Sequence, residues 1–279
     1  MLYCLWGDEM LFVHENNLKN KINGNYNGKG KEINDFYNNI YLDYKNNLLS
    51  IDYSKENIDD FSKATGLMDE YLGKIDNFSD ENKITSQSKF RSTFIEELSS
   101  YLFNNLPLIK DGTFGVYNKN IFAGMKINNH MHIDIIPKDV DFCIGKKVNL
   151  LIDEEQKLQA IIPIVCVEVK TYLDSTMFGE VQYSSMQIKN ASPNARTYVL
   201  MEYNEVADEK IISARYDNNL NEMFVLRGGK RSKSFLSPLS GKVLLDYYKE
   251  IVKALNETSK TDKVIVPGLL INPKKDSTE

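Results

Sequence analysis

Ile161-Ile-Pro-Ile-Val-Cys-Val-Glu-Val-Lys170 is the most strand-like segment of this sequence. Its β-branched residues favour a β-strand, which places alternate residues on one face. Cys166, Glu168 and Lys170 therefore share a face, and the intervening valines share the other. A carboxylate and an ammonium group at the end of an apolar strand are costly to bury unless they are paired, bound to a metal or solvated at the rim of the sheet.

A second acidic residue lies on the strand predicted upstream of this one. It is Asp141, within Lys138-Asp-Val-Asp-Phe-Cys-Ile-Gly145. Adjacent antiparallel strands would bring Asp141 beside Glu168. Two carboxylates and the Val169 carbonyl, with further positions open to water, are ligands that Mg²⁺ prefers. Lys170 would then steady a phosphate or the attacking hydroxide. A plain salt bridge at a strand end explains the same residues, and spacing alone leaves both interpretations open.

An acidic residue two positions before a lysine is a common pattern in this chain. The other examples are Asp43-Tyr-Lys45, Glu81-Asn-Lys83, Glu155-Gln-Lys157 and Asp208-Glu-Lys210. Those four lie in polar or turn-like surroundings, where solvated charges are expected. Only Glu168-Val-Lys170 ends an apolar strand that follows a second acidic strand. The context therefore carries more weight than the spacing.

Apolar periodicity elsewhere predicts a mixed α/β fold. Residues 92–106 have helical spacing, and Pro107 is expected to end that helix. Strand-like segments follow at 112–117, 121–127, 133–136, 140–144, 148–152 and 158–172, with a charged turn at 153–157. A helix at 176–189, strands at 196–202 and 222–226, and a helix at 241–256 complete the pattern. This order predicts a central mixed sheet flanked by helices.

The two ends of the chain differ from this core. Residues 1–85 are polar with isolated aromatic side chains, and helical spacing at 33–49 and 61–75 predicts a helical N-terminal region. Packing, dimerisation and DNA contact are all open as its role. Residues 258–279 are predicted to form a C-terminal tail.

The composition is that of an ordinary globular protein. The 279 residues are 42% hydrophobic and 26% charged, which excludes collagen-like, disordered and disulfide-rich classes. No membrane span and no basic leader are expected. The three cysteines, Cys4, Cys143 and Cys166, are predicted to be reduced thiols of a cytoplasmic protein. A net charge of -5 argues against a histone-like binder, so any DNA contact would come from local basic patches aided by a divalent metal.

The acidic strands resemble those of the PD-(D/E)XK nuclease superfamily, in which an Asp on one strand precedes a Glu-x-Lys on the next. Segments 138–145 and 161–173, with the later Asn221-Glu-Met-Phe-Val-Leu-Arg227, resemble the BbvCI-like type II restriction endonucleases. The resemblance spans about residues 90–256 and implies a catalytic core at 86–257 with a restriction-endonuclease-like sheet. Val140 stands where the superfamily's name has proline.

The resemblance also implies residue roles. Asp141, Glu168 and the Val169 carbonyl would be the metal ligands, and Lys170 the catalytic lysine. Glu97 would be the helix carboxylate that faces the site, with its neighbour Glu96 as the rival. These roles imply Mg²⁺-dependent hydrolysis of double-stranded DNA that leaves a 5′-phosphate.

Cutting both strands needs two active sites, so the resemblance implies a homodimer or a heterodimer with a sister subunit. A restriction system also requires a DNA methyltransferase as its partner. Three alternatives stay open: a DNA-recognition subunit that does not cut, a repair or recombination nuclease of the same fold, and a structural protein with a salt bridge at the sheet rim.

Further residues are candidates for DNA or metal contact. The densest basic patch contributes Arg227, Lys230, Arg231 and Lys233 as DNA contacts. Gln187 and Lys189, on the helix after Glu168, are weaker candidates for the DNA backbone. His130-Met-His132-Ile-Asp134 has zinc-like spacing, but a polar edge strand is the favoured interpretation because no fourth ligand is evident.

Overall fold

The computed structural model describes residues 12–85, 89–152, 156–214, 219–229 and 237–259. Within them a seven-stranded sheet carries helices on its faces, which confirms the predicted mixed α/β architecture. None of the described helices is both long and apolar enough to cross a bilayer. Cys4, the charged turn at 153–155, the basic residues 230–233 and the tail from 260 onward lie outside the described residues.

The sheet is built around the strand that carries Glu168. Its strands are β1 (Gly115–Tyr117), β2 (Ile121–Ile127), β3 (Ile133–Lys138), β4 (Phe142–Leu151), β5 (Lys157–Leu173), β6 (Arg196–Asn204) and β7 (Glu222–Val225). One path through the sheet has the order β1-β4-β5-β2-β3, and β6 and β7 continue from β5 in parallel. The 17-residue β5 therefore pairs with three neighbours.

β4 and β5 form a long antiparallel ribbon. Their register places Phe142 opposite Val167 and Cys143 opposite Cys166. Both cysteines are buried and free, as predicted. A bulge after Ile144 brings Gly145 so close to β5 that a Cβ atom at this position would lie 2.5 Å from the Ile162 carbonyl oxygen. The two strands predicted at 140–144 and 148–152 are thus one continuous strand.

Nine helices surround the sheet within the described residues. They are α1 (Val13–Asn23), α2 (Gly30–Phe36), α3 (Leu42–Leu49), α4 (Ile58–Asn82), α5 (Thr93–Phe103), α6 (Pro107–Lys110), α7 (Ser175–Ala191), α8 (Asp208–Ala214) and α9 (Gly241–Ser259). A π-helical turn, Tyr37–Tyr41, joins α2 to α3. α7 connects the parallel strands β5 and β6. The polar helices α1 and α8 are absent from the sequence prediction.

The N-terminal helices pack directly on the rest of the molecule. One hydrophobic cluster includes Leu18, Phe36 and Met68 from this region together with Val167 of β5 and Ile251 of α9. Aromatic side chains dominate its interior, and Tyr44 stacks on Tyr71 with ring centroids 4.1 Å apart. Burial of such large rings is a major contribution to the stability of the fold.

Candidate active site

The ends of β4 and β5 bring the predicted acidic residues together. Asp141 lies immediately before β4, whose first residue pairs with Val167 on β5. Glu168 and Lys170 follow on β5 and point to one face, because strand residues two apart share a face. The side chains of Asp141 and Lys170 are 27% and 29% exposed, and that of Glu168 is 17% exposed. The cluster is therefore partly shielded from water but open on one side.

Lys170 bridges the two carboxylates. Its Nζ atom lies 3.1 Å from Glu168 Oε2 and 3.4 Å from Asp141 Oδ2. The backbone N–H of Val169 donates to Asp141 Oδ2 at 2.7 Å. On the other side, the Ser184 hydroxyl of α7 donates to Glu168 Oε1 at 3.2 Å. Strand backbone and α7 thus fix both carboxylates.

The electrostatics of the cluster show an excess of negative charge. Burial raises the pKa of Asp141, and Glu168 raises it further, although Lys170 opposes both effects. Burial lowers the pKa of Lys170, but the Asp141 and Glu168 carboxylates outweigh burial and hold it above its usual value. Lys170 is accordingly an ammonium ion at neutral pH, shared between two carboxyl groups.

Glu96 of α5 is a third carboxyl group that interacts electrostatically with this cluster. Burial raises its pKa to about 7, and the nearby Asp141 and Glu168 raise it as well, whereas Lys89 and Lys170 lower it. Glu96 is the only residue of α5 that is not fully buried. The pKa of the Glu96 carboxyl group therefore responds to the charges of Asp141, Glu168 and Lys170.

Glu97 faces away from the cluster, which corrects the choice of Glu97 as the helix carboxylate. Its side chain is fully buried and accepts hydrogen bonds from the backbone N–H of Glu15 at 2.9 Å, the Tyr41 hydroxyl at 2.9 Å and the Tyr101 hydroxyl. Burial raises the pKa of Glu97 to about 7, although these three hydrogen bonds act to lower it. Adjacent helix residues lie about 100° apart around the axis, so only one of the pair can face the site.

The donor set suits a small divalent cation. Within the residues that the structure describes, no group of three or more His, Cys, Asp or Glu side chains is arranged to hold a metal ion. Mg²⁺ does not need such a group, because it retains several waters and is commonly held by one or two carboxylates together with substrate phosphate. Asp141 and Glu168 supply two carboxylates that share the Lys170 ammonium group. These residues fit Mg²⁺.

Arg227 is not available for DNA contact, which corrects a second sequence prediction. Its Nε atom lies 2.9 Å from Glu202 Oε1, and its guanidinium group also pairs with Asp69 and donates to the Ser237 carbonyl at 2.7 Å. Glu202 is fully buried and binds Arg91 as well, at 2.9 Å. Arg227 is therefore part of a buried ion-pair network, and its charge is neutralised within the fold.

Of the remaining predicted DNA contacts, only Gln187 and Lys189 lie within the described residues. Lys230, Arg231 and Lys233 lie outside the described residues. Gln187 accepts a hydrogen bond from Lys138 Nζ at 3.4 Å, and Lys189 is half-buried near Arg196, where burial lowers its pKa.

The residues of the histidine motif lie at and beside the tip of the β2–β3 hairpin. His130 and His132 are exposed, and Asp134 accepts a hydrogen bond from the Asn128 amide at 3.0 Å. The Asn128 side-chain oxygen accepts from the backbone N–H groups of His130 and His132, at 2.9 and 3.1 Å. The two strands β2 and β3 pair on either side, so the favoured edge-strand interpretation agrees with the structure.

A mixed sheet flanked by helices, with an Asp and a Glu-x-Lys at adjacent strand ends, defines the restriction-endonuclease-like class. The family model described as Bpu10I restriction endonuclease matches residues 87–253, more than half of the chain. The chain therefore belongs to the Bpu10I restriction endonuclease family, which confirms the family relationship that the motifs indicated.

A solved structure supports the same fold over a longer stretch. The chain is similar to one titled "native BbvCI A2B2 tetramer at low resolution", with a TM-score of 0.71 and 17% sequence identity. The match covers 90% of this chain and 99% of that chain, so it includes much of the N-terminal helical region. No curated protein matches the sequence.

Sequence reasoning missed Ser184 and left Glu96 as the rival choice. Ser184 lies 16 residues after Glu168 on α7, and serines on a helix give no distinguishing pattern. α5 is buried on nearly every side and has polar residues on several of them, so its periodicity does not show which of two adjacent glutamates faces the sheet.

Proposed function

We propose that this chain is a catalytic subunit of a type II restriction endonuclease that hydrolyses phosphodiester bonds of double-stranded DNA in the presence of Mg²⁺. The observation that carries the proposal is the placement of Lys170 within 3.4 Å of both the Asp141 and the Glu168 carboxylates at one open strand end. An isolated salt bridge would need one carboxylate. Two carboxylates around one lysine, with Glu96 beside them, leave negative charge that a divalent cation would neutralise.

Asp141, Glu168 and the Val169 carbonyl would hold Mg²⁺. Support for Val169 comes from its N–H, which bonds Asp141. The N–H and C=O groups of one strand residue face the same edge of the strand, so the carbonyl belongs to the same side. When bound, Mg²⁺ would supply Lewis acidity toward the phosphate and would lower the pKa of a water molecule.

Lys170 would act on the reacting phosphate itself. Its ammonium group carries three N–H donors, and the two carboxylates keep it protonated. It would stabilise the negative charge that grows on the phosphoryl oxygens as water attacks phosphorus in line and the bond to the 3′-oxygen breaks. The product would carry a 5′-phosphate. Ser184 would hold Glu168 in orientation, and Glu96 would face the same site from α5.

DNA binding would use other cations than Arg227. Lys230, Arg231 and Lys233 stay as proposals because the sequence gives them no acidic neighbour between residues 227 and 233. Gln187 and Lys189 are weaker candidates on α7. In a chain of net charge -5, such contacts have to be concentrated close to the active site.

The proposed assembly contains at least two active sites. One site of this kind cuts one strand, and the similar solved structure is titled an A2B2 tetramer. We therefore propose that this chain works as a homodimer or with a sister subunit, in the cytoplasm, and that a cognate methyltransferase protects the host DNA. Residues 86–257 would form the catalytic core, and residues 1–85 an N-terminal region packed on it.

Cleavage of a phage genome by the purified full-length chain in Mg²⁺ tests this function. Wild-type protein should give fixed bands or specific nicks, whereas Glu168→Ala and Lys170→Ala should give none. Both variants should still bind the same DNA in Ca²⁺. Full cutting by both variants would overturn the assigned roles.

A second candidate is a recognition subunit whose partner cuts. The A2B2 title of the similar structure favours it, because two kinds of chain can divide recognition and cleavage. The intact Asp141, Glu168 and Lys170 cluster favours a catalytic subunit instead. DNA binding without any nicking by wild-type protein, alone and with its partner's active site disabled, would decide for the recognition subunit.

A further inference from the structure

The rotation of helix α5 about its axis decides which of its residues face the carboxylate cluster, and polar contacts help to set that rotation. Every residue of α5 except Glu96 is buried, so the helix packs against other elements on nearly all sides. Its polar contacts include the Ser99 hydroxyl, which lies 2.8 Å from the Tyr247 hydroxyl of α9. Hydrophobic burial is non-directional, whereas a hydrogen bond requires a defined geometry. The rotation that turns Glu96 toward Asp141 and Glu168 therefore depends on the polar contacts of α5.

Two polar contacts connect α5 to α1. His14 Nδ1 lies 2.8 Å from the Thr93 hydroxyl, and the Glu15 backbone N–H donates to Glu97 at 2.9 Å. Thr93 and Glu97 are four residues apart, one helical turn, and they bracket Glu96 in the sequence. Consecutive residues of α1 thus hold consecutive turns of α5.

The other ends of these contacts are also fixed. His14 Nε2 lies 2.7 Å from the Tyr71 hydroxyl of α4, and Tyr41 donates to Glu97 at 2.9 Å. The Glu15 carboxylate binds three more side chains, at distances of 2.6 to 2.9 Å: Lys45, Tyr37 and Lys19. α1 is therefore tied to the surrounding N-terminal helices as firmly as to α5.

We propose that the N-terminal helices act as a brace that sets the rotation of α5, with Glu97 and His14 as positioning residues that aim Glu96 at the active-site cluster. This proposal rests on the proposed nuclease function and gives residues 13–49 a role in it. Glu97 touches no reacting group. It acts through its neighbour, because one rotation of a rigid helix fixes the directions of both carboxyl groups.

Single-atom changes test the brace. Tyr41→Phe removes one hydrogen bond to Glu97 and keeps the ring, whereas Tyr198→Phe, the matched control, removes a 3.3 Å bond to Glu250 of α9 that does not involve α5. Tyr41→Phe should lower kcat for cleavage of a phage genome in Mg²⁺ about tenfold, as loss of an outer-shell partner does. Its KM, and its affinity for the same DNA in Ca²⁺, should change less than about twofold. Tyr198→Phe should cut at the wild-type rate once both are assayed well below their melting temperatures.

Rescue and coupling separate positioning from loss of folding. Glu97→Gln preserves the shape and an acceptor and should retain most of the kcat that Glu97→Leu loses. In a Glu96→Gln background, Tyr41→Phe should lower kcat no further, because the group it aims has gone. A purely structural defect would instead lower kcat by the same factor in both backgrounds.

The outcomes distinguish this inference from the function on which it rests. Wild-type kcat in Tyr41→Phe and Glu97→Leu, or equal losses with and without Glu96, would overturn the brace and leave the nuclease intact. A fall in Ca²⁺-supported affinity that matches the loss in rate would make the N-terminal helices a DNA-binding surface instead. Undiminished cutting by Glu168→Ala would overturn the proposed function itself.

Discussion

The backbone N–H of Val169 donates a 2.7 Å hydrogen bond to the Asp141 carboxylate. This bond ties the residue that precedes β4 to the residue that lies between Glu168 and Lys170 on β5. The Asp141 carboxylate, one proposed metal ligand, is thus held by the backbone of β5, the strand that carries Glu168, the other proposed ligand. Such preorganisation matters for a hydrolase, because the charges that stabilise its transition state should already be in place before reaction.

Replacement of the third carboxyl group should weaken cleavage more than binding. Glu96→Gln removes a titratable carboxyl group that interacts electrostatically with Asp141, Glu168 and Lys170 but keeps nearly the same shape. We expect kcat in Mg²⁺ to fall by about tenfold to hundredfold, with Ca²⁺-supported DNA affinity unchanged. Parallel rate and binding measurements check this. An unchanged kcat would exclude Glu96 from the site.

The buried histidine should make the fold sensitive to acid. Burial, helped by the charge of Lys21, lowers the pKa of His14 to about 3 in the folded state, against 6.5 for a free side chain. At His14 the unfolded state therefore binds more protons between about pH 6.5 and 3, and the stability that His14 contributes falls as the pH drops through that window. Glu96 and Glu97, whose pKa values are raised to about 7, act in the opposite direction between pH 7 and 5. At pH 5 the part of this loss that comes from His14 should be about 2 kcal/mol, from roughly 1.4 kcal/mol per pKa unit, and the difference between wild type and a His14 variant isolates it.

Urea unfolding at pH 7 and pH 5 measures this effect. His14→Asn should be less stable than wild type at pH 7 but should lose less stability on acidification. His132→Asn, which changes an exposed ring on the β2–β3 hairpin, is the control and should follow wild type. Equal acid-induced losses in His14→Asn and wild type would contradict the assignment of a neutral buried histidine.

Arg227 should matter for folding and not for DNA. Arg227→Met leaves the fully buried Glu202 and the Asp69 carboxylate without one of their cations. Breaking a buried pair from one side should cost about 3 kcal/mol of unfolding free energy. Urea denaturation would measure that loss.

The salt dependence of DNA binding separates Arg227 from the proposed contacts. Loss of a phosphate contact reduces the slope of log affinity against log salt by about one. Lys230→Ala should show this reduction, whereas Arg227→Met should keep the wild-type slope. A reduced slope for Arg227→Met at full stability would restore Arg227 as a DNA contact.

The sequence predicted the parts of the site that depend on local order. Glu168 and Lys170 share a face because strand geometry has a period of two, and a hairpin between consecutive strands placed Asp141 beside them. These relationships need only neighbours in sequence. The register observed between Phe142 and Val167 follows from the same ribbon.

The parts that the sequence did not predict depend on distant partners. Glu97 is held by residues 56 and 82 positions away, and Arg227 by a glutamate on another strand and an aspartate on α4. The basic segment that begins at Arg227 has the same sequence pattern whether its charges are solvated or paired inside the fold. α1 has too few apolar residues to show a periodic face, although His14 and Glu15 are its most connected residues.

Cleavage by Asp141→Asn beside Asp139→Asn is the most direct test of the active site. Asp139 lies two residues away and is exposed. Its carboxylate accepts a 3.1 Å hydrogen bond from the backbone N–H of Asn120. Asp141→Asn should abolish Mg²⁺-supported cutting of phage DNA while Asp139→Asn cuts at the wild-type rate. Equal cutting by the two variants would contradict the assignment of Asp141, Glu168 and Lys170 as the catalytic cluster.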